Sequence, residues 1–352
     1  MTGHSPGRQL QRRAADRAQG GAHRAAAPRI VALGGGQGLS ASLSALRRLT
    51  ANLTAVVTVA DDGGSSGRLR EELGVLPPGD LRKALAALCG DDEWGRTWSE
   101  VIQHRFTSDG ELHGHAVGNL LIVALWEKLG DHVAALEWVG RLLGAHGRVL
   151  PMSAVPLDIE ATVRGHDPAR PTETGTVRGQ AHVAVTPGTV QSIRLLPEDP
   201  PAVPEAVAAV LDADWVVLGP GSWFTSVLPH LMVPELAEAL LATKARRLLT
   251  LNLAPQPGET EGFTPQRHLE VLAHHAPRLS VDAILVDEGA VTGGAFGDAD
   301  LPGLEKAAGR MGGELVLDRV AAADGTPRHD PELLAAAYDR IFRTHGRIGA
   351  WR

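Results

Sequence analysis

The feature that most constrains this chain is a βαβ opening punctuated by glycine. Ile30-Val31-Ala32-Leu33 is a continuous apolar run ending in Gly34-Gly35-Gly36, the pattern of a strand buried on both faces of a parallel sheet. Residues 38–49 follow with Leu39, Leu43, Leu46 and Leu49 at helical spacing, and Thr54 to Ala60 reads as a second buried strand. Parallel neighbours cannot be joined by a tight turn, so the intervening helix serves as the crossover and the opening predicts a parallel sheet.

The same rhythm predicts helices over 80–89, 97–104, 115–129 and 131–143, the third almost wholly apolar and therefore buried. From Val149 to Leu196 the pattern changes to alternating β-prone residues and turns such as Thr186-Pro187-Gly188, which reads as antiparallel strands. Helices over 204–211, 226–243, 265–275 and 331–343 then alternate with strands Trp215 to Leu218, Leu248 to Leu253, Ala283 to Val286 and Glu314 to Leu317. The expected architecture is α/β: a doubly wound, mostly parallel Rossmann-like sheet with helices on both faces and a β-rich insertion at about 149–196. One domain is expected over 29–345, flanked by a disordered arm over 1–28 and a tail over 346–352.

Composition removes several function classes. A formal charge of −7 and the lack of a sustained basic stripe argue against a dedicated nucleic-acid binder. Cys89 is the single cysteine, which excludes a disulfide framework and a thiolate metal site. No apolar run reaches the roughly 20 residues that span a bilayer, and the first 28 residues lack the apolar segment of a secretion signal. The expected location is the cytoplasm, without stable membrane insertion.

In open α/β sheets ligands sit beyond the carboxyl ends of the strands, and three glycine-rich loops fall there. Gly34-Gly35-Gly36-Gln37-Gly38-Leu39-Ser40 lets backbone N–H groups approach an anion at a helix start. It is neither a P-loop, since no Lys-Ser/Thr pair follows, nor a dinucleotide fingerprint, since Leu39 stands where the third glycine belongs. Asp61-Asp62-Gly63-Gly64-Ser65-Ser66-Gly67-Arg68 pairs two carboxylates with phosphate donors. The aspartates are candidate Mg²⁺ ligands, acceptors for a sugar or base, or a turn cap and a solvated carboxylate. Behind them, Asp80 in Pro78-Gly79-Asp80 is either the N-cap of the next helix or part of the site. Gly219-Pro220-Gly221-Ser222-Trp223-Phe224-Thr225 offers further hydroxyls from Ser222 and Thr225. His115 and Asn119 open the apolar helix, where Asn119 needs a hydrogen-bond partner and Gly118 implies close packing. His113 and His115 lack a third ligand at zinc spacing, and no G-x-S-x-G elbow supports a hydrolase triad.

In combination these loops resemble the CofD-like superfamily and, within it, the gluconeogenesis-factor family. The resemblance rests on GGGQGLS (34–40), VADDGGSSGRLR (59–70), PPGDLRKALAAL (77–88), GHAVGNLL (114–121), GPGSWFTSVLP (219–229) and QPGETEGF (256–263). It covers about residues 29–290, with a weaker tail to 345. It implies a nucleotide-sugar ligand, typically UDP-N-acetylglucosamine, and a regulatory role in carbon metabolism, cell shape and cell-wall synthesis without evident catalysis. Cell-wall or signalling proteins are the implied partners, and a homodimer is the expected assembly. The sister branch, the 2-phospho-L-lactate transferases, implies the alternative: an Mg²⁺-dependent transfer to a deazaflavin, with paired aspartates at the positions of Asp61 and Asp62. Trp223 and Phe224 are where a deazaflavin could stack. Around Asn252 the step Leu253-Ala254-Pro255-Gln256 departs slightly from the family pattern, which leaves the role of Asn252 as a ligand contact open.

Overall fold

A computed structural model describes residues 27–345. The tail expected over 346–352 lies outside the described residues, as does the arm expected over 1–28 but for its last two residues. In chain order the strands are β1 (Ile30–Gly34), β2 (Leu53–Val57), β3 (Arg148–Pro151), β4 (Asp158–Arg164), β5 (Thr174–Arg178), β6 (Thr189–Leu196), β7 (Trp215–Leu218), β8 (Arg246–Thr250), β9 (Ala283–Asp287), β10 (Thr292–Gly294), β11 (Gly297–Asp298) and β12 (Glu314–Asp318).

Seven of them form one parallel sheet in the order β12-β9-β8-β7-β1-β2-β3. Every residue of β1, β7 and β9 is buried. Successive strand side chains point to opposite faces, so both faces of the sheet are covered by helices. Each buried aliphatic side chain of β1 contributes roughly 1.5–3 kcal/mol over exposure. The chain runs outward from β1 to β3, returns to β7 on the other side of β1, and continues outward to β12. The strand order therefore reverses between β1 and β7, and the carboxyl ends of these strands frame the crevice where such sheets bind ligands.

The closing helix Pro331–His345 packs against the first helix, Gly36–Leu46. Its buried Tyr338 hydroxyl lies 2.9 Å from Ser42 Oγ and 3.1 Å from Thr250 Oγ1, while Ser42 Oγ donates to the Gly219 carbonyl at 2.9 Å. One hydroxyl cluster thereby ties the carboxyl ends of β7 and β8 to the first helix.

Three expectations change. Arg148–Pro151 pairs with β2 in the central sheet, so the insertion proper begins at β4 and forms a separate antiparallel sheet, β5-β4-β6. The helix expected over 226–243 is broken into a π-helical turn at Trp223–Val227, a 3₁₀ turn at Leu228–Leu231 and the helix Pro234–Ala242. Pro229 and Pro234 lack the N–H that a continuous helix needs. Gly64–Leu73, read as loop, is a helix, and Leu301–Arg310 is another. Their sparse apolar residues leave only a weak periodic signal.

Candidate functional site

The two glycine loops at the switch point touch. A side chain at Gly38 would come within 2.2 Å of the Pro220 carbonyl oxygen and 2.5 Å of Gly221 Cα, so only glycine admits this contact. Gly35 is as confined: a Cβ there would lie 2.4 Å from Thr58 Cγ2 and 2.7 Å from Asp80 Oδ2. Gly36 adopts a left-handed φ of 59°, which turns β1 into the helix and explains a glycine at that position. Gly34 packs against Leu39, whose side chain is core, and Ser40 Oγ donates to the Gly36 carbonyl at 2.9 Å. Asn252 brackets the Gly221 peptide: Oδ1 accepts from its N–H at 2.9 Å and Nδ2 donates to its carbonyl at 2.8 Å. Asn252 thus positions the second loop.

Ser222 and Thr225 do not point their hydroxyls into open space. Glu259 accepts from Ser222 Oγ at 2.5 and 2.7 Å, from the Phe224 N–H at 2.7 Å and from the Thr225 N–H at 3.2 Å. The carboxylate occupies the donor cradle that the sequence suggests for phosphate. Burial pushes its pKa up, against the pull of these donors. Trp223 and Phe224 are fully buried, Trp223 against His268 and Phe224 against Phe263 and His275, so neither presents a face for a flavin to stack on.

The aspartates of the second loop diverge. Asp61 Oδ1 accepts from the Gly63 N–H at 3.0 Å, and Asp61 is pushed up in pKa by burial and then by the charge of Asp80. Asp62 turns to the insertion, where Oδ1 accepts from the Ala181 N–H at 2.8 Å. The adjacent pair therefore does not present common oxygens to one cation, and the Asp61–Asp62 arrangement does not fit a resident Mg²⁺. Among the described residues no cluster of three or more His, Cys, Asp or Glu is placed to hold a metal. Asp80 sits inside the first turn of the helix Gly79–Ala87 and does not cap it; Lys83 Nζ holds its Oδ1 at 2.9 Å.

Gly64, with a φ of 47°, opens the helix Gly64–Leu73. Ser65 Oγ accepts from Asn119 Nδ2 at 2.9 Å and from the Ala116 N–H at 3.4 Å, so its own proton goes to His115 Nδ1 at 3.0 Å. Burial and the charge of Arg68 hold His115 below its ordinary pKa, which suits an acceptor nitrogen. Arg68 is engaged by the carbonyls of Glu111 and His113 at 3.1 and 2.6 Å. The Ser65–His115–Asn119 cluster thus locks the start of the helix Val117–Leu129 onto loop 61–68. Against the expectation of a wholly buried helix, it buries one face only, through Gly118, Asn119, Ile122, Val123 and Trp126, and exposes its last turn.

A cavity of about 440 Å³ opens at the switch point, lined by Gln37, Gly38 and Ser40 of the first loop, Pro220 and Gly221 of the third, the stretch 252–257, and Pro327, Arg328 and His329. That last wall was not legible in the sequence. Asp287 secures it by accepting from the Val320 and Ala321 N–H groups at 2.8 and 3.0 Å. Arg328 donates to Asp324 at 2.5 Å, and hydrogen bonds from Thr326 and then Arg328 push Asp324 down to about 2. Burial holds His329 down to about 4, with its Nε2 lacking a protein partner. The signal available in advance was the local Asp324-Gly325-Thr326 turn; its folding back over β8 and β9 was not. Glu259, inside the motif at 256–263, likewise carries no local sequence signal of its role as a buried acceptor for the third loop. The insertion borders the same region: Ala184 lies against Gly258 and Ala181 against Asp62.

Comparison with known proteins places this geometry. The family described as 2-phospho-L-lactate transferase CofD matches residues 30–301. A Mycobacterium tuberculosis protein provisionally named a gluconeogenesis factor is 56% identical, over 89% of this chain and 90% of its own length. The Listeria monocytogenes gluconeogenesis factor is 35% identical, over 88% of this chain and 94% of its own. A crystal structure of a Bacillus halodurans protein of the UPF0052 family superposes with a TM-score of 0.76 at 32% identity, covering 88% of this chain and 97% of that one. Among the described residues no helix is long and apolar enough to cross a membrane.

Proposed function

Because the chain belongs to the CofD family, among the gluconeogenesis factors, we propose that it binds a nucleotide sugar of the UDP-N-acetylglucosamine kind and regulates rather than catalyses. The observation that carries this reading is the cavity of about 440 Å³ at the switch point, within the size range of small-molecule sites. Its walls are those a nucleotide diphosphate sugar calls for. Backbone at Gly38 and Gly221 permits close approach of phosphate, and Arg328 brings a guanidinium to the wall beside its partner Asp324. Gln37 and Gln256 supply amides for a base or sugar, while Asn252 holds the Gly221 peptide in place. Among the described residues that line this cavity, neither Ser40 nor Ser44 is hydrogen-bonded to a histidine or carboxylate, Ser40 Oγ donating to the Gly36 carbonyl instead, which favours binding over turnover. In this reading the insertion β4–β6, seated on loops 61–63 and 256–259, responds to the ligand and passes its state to cell-wall or carbon-metabolic partners. Calorimetric titration with UDP-N-acetylglucosamine, with and without Mg²⁺, tests it: micromolar binding that is lost in Asn252→Ala is expected, and no heat from the native chain refutes it.

A second reading is the phospholactyl transferase, favoured by the description of the matching family. Buried Trp223 and Phe224 and the diverging Asp61 and Asp62 speak against it. Incubation with a deazaflavin acceptor, a nucleotide-activated 2-phospholactate and Mg²⁺ decides, with product formation promoting this reading to first.

A further inference from the structure

A second cavity, of about 230 Å³, lies beyond the carboxyl end of β2, lined by Asp61, Gly63, Ser65, Ser66 and Gly79 together with Arg82, Lys83 and Arg105. Its chemistry is that of an anion cradle. The helix Gly64–Leu73 begins there with no side-chain cap from Gly63, and Asp61 takes only the Gly63 N–H, so the N–H groups of the first turn beyond it remain for a ligand. Arg82 is only 3% exposed, its Nε has no partner, and among the described residues its guanidinium makes neither a side-chain hydrogen bond nor an ion pair. Burial, then the like charge of Arg105, lowers its pKa. Of the two nearby carboxylates, Asp80 is held by Lys83, and Asp61 accepts from the Gly63 N–H.

The arginine is placed there by construction. A side chain at Gly118 would meet Arg82 Cγ and the Ile102 carbonyl at 2.8 Å, so the glycine in the otherwise apolar helix makes room for the Arg82 stem. Ser66 Oγ accepts from the Gly79 N–H at 3.0 Å, closing the 78–80 turn over the start of the helix. A buried guanidinium with no ion pair of its own, and only the longer-range attraction of Asp80 and Asp61, is unfavourable, and the remedy that suits a fork of N–H donors beside a helix N-terminus is an oxyanion.

We propose that Arg82, Arg105, Lys83 and the N-terminus of helix Gly64–Leu73 form a second ligand site, separate from the nucleotide-sugar cavity, that takes the phosphoryl group of a small phosphorylated molecule. A phosphoryl group matches a helix start and two guanidinium groups converging from different elements, where a planar carboxylate would engage one fork. The cavity is smaller than a typical drug-sized site, so the remainder of the ligand is only a few atoms or projects to solvent.

The test is thermal melting of the full chain in a buffer free of oxyanions, titrated with inorganic phosphate and, in parallel, with sodium chloride at equal ionic strength. At a phosphate concentration a hundredfold above its dissociation constant the melting temperature rises by roughly 4 °C, with no matching rise in chloride. The rise disappears in Arg82→Met and in Arg105→Gln and persists in Asn252→Ala, which impairs only the other cavity. Arg82→Met, relieved of an unpaired buried charge, melts no lower than the native chain without phosphate. Arg105 is exposed, so its variant keeps the test valid should Arg82→Met fold poorly. A phosphate shift equal to that of chloride, or one that survives in both arginine variants, overturns the proposal and leaves the nucleotide-sugar reading untouched.

Discussion

The contact between the first and third glycine loops makes a sharp prediction at Gly38. In Gly38→Ala the new Cβ would sit 2.2 Å from the Pro220 oxygen, against the 3.4 Å at which ordinary contact begins, so the loops must part by about 1.2 Å. The obstructing atoms are backbone and cannot rotate away. Overpacking of this kind costs about 1–3 kcal/mol, while alanine in a helical turn returns up to ~1 kcal/mol over glycine. With the full offset the net loss is up to about 2 kcal/mol, and with an unfolding entropy of about 2.1 cal/mol/K per residue it lowers the melting temperature by up to roughly 3 °C. The same displacement opens the ligand cavity, so affinity for UDP-N-acetylglucosamine falls roughly tenfold or more, the equivalent of 1.4 kcal/mol. Calorimetry reads both quantities, and hydrogen exchange at the Gly221 amide reads the movement directly, since Asn252 holds that N–H. Gly36→Ala is the control: it strains a left-handed residue that has open space around it, so it lowers stability without speeding exchange at Gly221. A Gly38→Ala protein with unchanged melting, exchange and affinity would refute the contact.

Three further outcomes follow from the same geometry. Burial raises the folded pKa of Glu259 above its unfolded value, so its contribution is full below the ordinary carboxylate range and is lost as pH rises through the raised pKa. The melting temperature of the native chain minus that of Glu259→Gln therefore declines across that window, and a difference independent of pH would contradict the assignment. Tyr338→Phe leaves the Thr250 hydroxyl without its buried partner, costs about 1–2 kcal/mol and lowers the melting temperature by a few degrees in a calorimetric scan. Asp287→Asn sets an amide against the Val320 and Ala321 N–H groups. It loosens the wall carrying Arg328 and His329, which accelerates tryptic cleavage at Arg328 and weakens nucleotide-sugar binding.

How much of this could be read from residues alone depends on how local each cause is. The apolar runs at 30–33, 215–218 and 283–286 can be strands only of a sheet covered on both faces, and the helical spacing after Gly38 demands a crossover. The parallel sheet and the gathering of glycine loops at one edge were therefore legible, because strand and helix periods are written in neighbouring residues. The helix Gly64–Leu73 was not, since glycine and polar residues give it little period of its own and its order comes from packing against the 79–87 and 115–119 segments.

The destinations of the charged side chains lay beyond sequence altogether. Asp61 and Asp62 are adjacent in the chain yet face different partners, one a turn amide and the other an amide of the insertion. Glu259 fills a cradle formed more than thirty residues earlier, Arg328 reaches the cavity from a turn beyond the last strand of the sheet, and Arg82 is buried beneath a helix whose Gly118 admits it. A buried charge or N–H group is costly unless matched, and its match is whatever the tertiary packing brings within hydrogen-bond reach. The sequence by itself thus determined which elements form and which strand ends carry the glycine loops. Only the tertiary structure decided which donors those loops keep for themselves and which they leave for a ligand.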